Sequence, residues 1–163
     1  MTYRLGFGPM SPVVIDTLVG YARPGRPLMI IASRNQVDSD SGYVMTTQGL
    51  ADRIEFSSSI KLCRDHCGPY FLDSERSLSL VAAVEATKRT IAADLENGFD
   101  LIHIDTSRCP DPYSAAEDLI KFASDLNPKV EFEFGTEENV GVIAGCEKYK
   151  EDVKFASQFP NMK

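Results

Sequence analysis

The stretch "IKLCRDHCGP" (residues 60–69) sets a short alternating strand against an acid, an imidazole, an arginine and two thiols at its end. Alternation with a period of two marks a β-strand, whose successive side chains point to opposite faces. One phase here carries Cys63 and Asp65 and the other Leu62 and Arg64, before Gly68-Pro69 turns the chain away. An acid buried without a partner is costly. A strand that ends in Asp65 and His66 therefore brings them to a ligand, a metal or a paired charge. Arg64, in the opposite phase, is expected to meet an acid behind that rim.

Working outward, the pattern recurs. Strands are expected at 3–8, 28–33, 60–65, 101–105 and 130–134, with helices at 12–22, 46–57, 77–97, 114–126 and about 142–157. Ser11-Pro12 suits a helix start. Asn97-Gly98 and Asn127-Pro128 suit helix stops. In the last helix Val142, Cys146, Tyr149, Val153 and Ala156 fall on one stripe expected to be buried.

Strands alternating with helices at this spacing imply right-handed crossovers and a parallel sheet, so the fold class is α/β. Five units are too few for a closed barrel, which needs eight and roughly 250 residues. The expectation is one domain over 1–163: a partial TIM-type barrel of about five strands, read as the N-terminal part of a larger barrel. An open doubly wound sheet is the alternative.

Strands of a parallel sheet are normally apolar on both faces. Here the second has Ser33 and then Asn35 in one phase, the third Asp65, the fourth His103 and Asp105, and the fifth Glu131 and Glu133. These polar phases would converge at the C-terminal rim, where ligands sit in barrels and open α/β sheets alike. For Glu131 and Glu133, an exposed edge-strand face is an equal alternative. For His103 alone, a hydrogen-bonded core position is the commoner case.

Composition narrows the function. A formal net charge of −7 and a pI near 4.8 argue against a sequence-independent nucleic-acid binder. The longest clean apolar run, 28–32, is too short to cross a bilayer and no secretory leader is evident, so a cytoplasmic protein with no membrane partner is expected. The four cysteines are expected as free thiols, although Cys63, His66 and Cys67 have the atom types of a zinc site. "GFGPMS" (6–11) resembles a nucleotide loop only superficially, since Pro9 removes a backbone donor and the third glycine is absent.

Taken in order, "IASRNQVDSDSGY" (31–43), "CRDHCGP" (63–69), "LIHIDTS" (101–107) and "EFGTEENVG" (133–141) resemble the accessory subunit family of class II tagatose-bisphosphate aldolase. The family strings run like SNQVN…GGY, GGDHLGP, KIHLDAS and GTE. Asp65-His66 also resembles the end of the HxDH strand of class II aldolases, and Val130–Gly135 their VExELG strand.

The resemblance implies Asp65 and Asp105 as catalytic acids, His66 and Glu133 as zinc ligands, and Ser33, Asn35, Gln36, His103 and Glu137 as substrate-binding groups. It also implies a sugar phosphate as ligand, and an aldolase catalytic subunit or a second copy as partner. Cys63 replaces the first histidine of HxDH, and Glu137-Glu138 a glycine pair. An accessory or sugar-phosphate-binding role in carbohydrate metabolism is therefore the leading expectation. A metal-dependent lyase or isomerase and a non-catalytic binding domain are its rivals.

Overall fold

The computed structural model describes residues 5–40, 42–54, 57–135 and 146–163. Its main sheet contains β1 (Leu5–Phe7), β2 (Leu28–Ser33), β5 (Ile60–Cys67), β6 (Phe99–Asp105) and β7 (Glu131–Gly135), all parallel and ordered β1-β2-β5-β6-β7. Spatial order follows chain order without reversal. Each crossover thus steps the same way, and right-handed crossovers of one direction place every helix on one face. A doubly wound sheet needs a reversal. The architecture is the partial barrel.

The helices follow from local chemistry. In α1 (Pro12–Tyr21) the Ser11 hydroxyl accepts from the Val14 N–H and Pro12 occupies the first turn. Ser79 caps α3 (Leu80–Glu96), and Asp111 with Pro112 caps α4 (Pro112–Leu126). Gly98, at φ +80°, lets the chain leave α3. Helix α2 (Thr47–Ile54) is short, and α5 (Cys146–Ala156) follows β7.

One apolar phase of the sheet packs beneath these helices. Leu28, Ile30, Ala32, Leu62, Ile102, Ile104 and Phe132 form one core with Ile15, Leu18, Leu50, Ile91, Leu119 and Ile120. The other phase is left partly open: Met29, Ile31, Ser33, Lys61, Asp65 and His103 are half-buried and Glu133 is exposed. Arg64 belongs to the helix side, where Asp94 of α3 receives it.

Several details depart from expectation. A two-stranded parallel pair, β3 (Val37–Asp38) with β4 (Met45–Thr46), follows β2, built on strands too short to show a periodicity. The outer edge of β7 is covered at its start: Phe132 N–H donates to the Asn161 carbonyl and Lys163 N–H to the Phe132 carbonyl, so the chain's last residues lie parallel beside it. In α5 the expected stripe is wrong, because Tyr149 and Val153 are exposed. Phe155 packs instead, in an aromatic cluster with Tyr113, Phe134 and Phe159. Val142 lies outside the described residues.

Candidate functional site

Register decides which side chains meet. Ser33 is level with Asp65, His103 with Glu133, and Asp105 with Gly135. Between Arg64, opposite Ile102, and Cys67, opposite Ile104, β5 has two residues where β6 has one. This bulge sets both Asp65 and His66 against His103, and His66 takes a positive φ of 46° to do so. It also returns Cys67 to the helix side, fully buried, where burial pushes its thiol up to about 12. Cys63 and Cys67 thus lie on opposite faces and share no metal. Among the described residues, Cys63, Cys67 and Cys109 form no disulfide.

The imidazoles are held by carboxylates. His66 Nδ1 lies 2.8 Å from Asp105 Oδ2, and His103 Nδ1 lies 3.3 Å from Asp65 Oδ1. Asp105 is wholly buried, and its second oxygen accepts from the Ser107 N–H and hydroxyl. Gly68 packs on the Asp105 carbonyl so closely that a Cβ there would overlap it, and one at Gly135 would overlap His103 Nε2.

The hydrogen bond from His103, then the charges of both histidines, hold the Asp65 carboxyl below its usual range despite partial burial. Burial opposes protonation of His103, but the Asp65 hydrogen bond and the charges of Asp105, Asp65 and Glu133 outweigh it and raise its pKa.

Asp65, His66 and His103 each offer one ligand atom within 4.8 Å of the others. Among the described residues this is the one such group of three. It takes in His103, expected as a substrate contact, and leaves out Glu133, expected as a ligand. Glu131 stands apart, at the far end of β7, where it pairs with Lys61 and Lys163. Glu137 lies outside the described residues.

Beside this group opens a cleft of about 490 Å³ lined by Ser33, Asn35, Gln36, Asp65 and His66, and also by Met10, Arg34, Tyr43, Phe71 and Arg108. Gln36 Oε1 accepts from the Ser33 N–H and hydroxyl. Its amide nitrogen contacts Met10 Sδ at 3.3 Å, and Asn35 donates to the Phe71 carbonyl at 3.5 Å. Phe71 stacks on His66, with centroids 5.3 Å apart. Sequence reasoning missed Phe71 and Arg108. Their one signal was position, just beyond "CRDHCGP" and "LIHIDTS".

Comparison with known proteins gives a consistent picture. No family model matches the chain. It is 32% identical over 106 residues, 59% of its length, to the D-tagatose-1,6-bisphosphate aldolase subunit GatZ of Escherichia coli, of which it covers 24%. Its structure superposes with a TM-score of 0.73 and 28% identity on a probable tagatose 6 phosphate kinase from Sinorhizobium meliloti, over 94% of this chain and 43% of that one. The YdjI aldolase of Escherichia coli K12 shares the fold, with a TM-score of 0.52 and 11% identity over 96% of this chain and 55% of that one. The chain thus spans about a quarter of the curated relative's length and about half of each of the two solved ones. It is similar in sequence and fold to proteins named for tagatose phosphates and aldol chemistry.

Proposed function

We propose that the chain binds a phosphorylated ketose of the tagatose type at the C-terminal rim of its sheet, as an accessory unit to an aldolase catalytic chain. The observation that carries this reading is the convergence of Asp65, His66 and His103 on the cleft that Ser33, Asn35 and Gln36 line. Amide and carboxylate groups at that spacing suit the hydroxyls of a small polyol. The likeness to GatZ supports the sugar and the accessory role.

A metal-dependent lyase is the second reading, favoured by the Asp105–His66 contact. A ligating histidine commonly gives its other ring nitrogen to a carboxylate. With Nδ1 on Asp105, His66 presents Nε2, and Asp65 and His103 complete an oxygen-and-nitrogen donor set that suits zinc. Zinc, when bound, would supply Lewis-acid polarisation of a substrate carbonyl. Within the chain, Asp105 orients His66 from a buried position and is assigned a positioning role. Asp65 either joins the donor set or holds a proton through His103. Glu133, across from His103, adds negative charge at the rim.

Calorimetric titration of the chain with D-tagatose 6-phosphate and D-tagatose 1,6-bisphosphate tests the first reading. Binding that weakens in Asp65→Asn supports it, and no binding of either sugar refutes it. Metal content by plasma mass spectrometry tests the second: about one zinc per chain, lost in His66→Ala, is the expected result.

A further inference from the structure

Resting on the reading that places the ligand beside Asp65 and His66, we propose that Glu75 is a positioning residue for that site: by holding the Tyr70 peptide it keeps Phe71 stacked on the His66 imidazole. The turn that follows β5 is not one the chain takes by itself. Gly68 is wedged against the Asp105 carbonyl, Pro69 has no N–H to give, and Tyr70 sits at a φ of 69°, where a bulky residue is rarely found. Such a conformation persists only where its surroundings impose it.

The group that imposes it is buried. Glu75, 2% exposed, accepts the Tyr70 N–H on Oε2 at 2.9 Å. Arg34 holds both carboxylate oxygens, with Nη1 on Oε2 at 3.1 Å and Nη2 on Oε1 at 2.7 Å. The same Nη1 donates to the Gly68 carbonyl at 3.1 Å, so one guanidinium ties both ends of the turn. Asp38, Thr87 and Thr90 fix Arg34 in its turn. A two-pronged pair of this kind sets a geometry as well as a charge. Phe71 follows the held peptide and lies on His66, with 5.3 Å between ring centroids and 20° between planes. Asp105 grips Nδ1 at the edge of that imidazole while Phe71 covers a face, so two separate holds meet on one ring. Glu75 itself lines a different cavity, of about 420 Å³, which shares Arg34 with the cleft. It therefore acts on the site through its neighbours.

The chain has two histidines, so proton–carbon spectra of its imidazoles, recorded at a single pH, hold two sets of signals that H103Q tells apart. In F71L the His66 signals should move downfield on losing the ring above them, which marks the unstacked position. E75A should move them the same way, and E75Q less, because its amide oxygen still accepts from Tyr70. Y70P removes the donated N–H and forbids a positive φ while leaving every buried charge in place, so it should move them too and carries the test should E75A fail to fold. His66 signals unmoved in E75A and Y70P, with only melting temperature lowered, would show a merely structural carboxylate and overturn the proposal. Calorimetric titration with D-tagatose 6-phosphate separates it from the reading beneath it. Weaker binding in folded E75A or Y70P supports both, and unchanged binding despite displaced His66 signals overturns the role of Glu75 in the site. No binding by wild type, with His66 displaced in the variants, overturns the sugar and leaves the positioning of His66 standing.

Discussion

Arg64 on β5 and Asp94 on α3 face one another without solvent exposure on either side chain, with the guanidinium Nε 2.7 Å from a carboxylate oxygen. The same guanidinium donates to the carbonyls of Ala32 and Val37, on either side of the turn that carries Asn35 and Gln36. The pair therefore clamps the loop lining the cleft to the central strand and its helix.

Breaking one half of such a pair strands the other charge in the core. Asp94→Ala should cost about 3–5 kcal/mol of stability in denaturant unfolding. The double change Arg64→Met with Asp94→Leu should recover part of that loss, since it removes both charges. A single-variant loss well under 1 kcal/mol would argue against the clamp.

The Asp65–His103 contact makes stability depend on pH in two opposite ways. His103 is raised above its ordinary 6.5, so its contribution is fully present below that pH and is lost as pH rises through the folded value. Asp65 is lowered below its ordinary 3.8, so its contribution is present above 3.8 and is lost as pH falls through the folded value. Melting temperatures should therefore show the largest deficit of His103→Gln relative to wild type near pH 5, narrowing above 6.5. A deficit constant from pH 5 to 9 would show that the imidazole contributes no charge.

On the metal-dependent reading proposed above, zinc affinity should depend on the residue behind His66. Asp105→Asn keeps an acceptor for Ser107 but weakens the hold on Nδ1, and should lower affinity by about 10- to 100-fold. Equilibrium dialysis against a competing chelator reads this directly. Unchanged affinity would assign the orientation of His66 to something else.

Tyr113 donates to Asp152 at 2.7 Å, linking α4 to α5, and that hydrogen bond, with burial, raises its phenol to about 12. Ultraviolet titration should show one tyrosine ionising that late, moving back toward 10 in Asp152→Asn. Tyr113→Phe should cost about 1 kcal/mol, as for a single hydrogen bond.

Much of this was legible in the sequence, because period-two alternation and helix punctuation are local signals. Strand 28–33 and the cap at Ser11-Pro12 follow from neighbours a few residues apart. The acid behind Arg64 was expected from phase alone, although not as Asp94, thirty residues away. Phase without register misled at Glu131, which shares a face with Glu133 but sits at the opposite end of the strand beside Lys61. The stripe in α5 failed because the helix turns Phe155, a residue off that stripe, toward Tyr113 and Phe134 and leaves Tyr149 and Val153 exposed. Phe71 and Arg108 offered no more than their positions just beyond two strand-end motifs, since residues so far apart in the chain meet only once the sheet has formed.

The two-against-one irregularity at Asp65 and His66 works like a compensated frameshift. Upstream, Cys63 and Arg64 keep the parity that suits the core. Downstream, Cys67 regains it opposite Ile104. Only the interval between is out of frame. Both residues there can be exchanged without reversing the inside-outside order of the strand, so the chemistry of this rim is free to diverge while the buried architecture stays fixed.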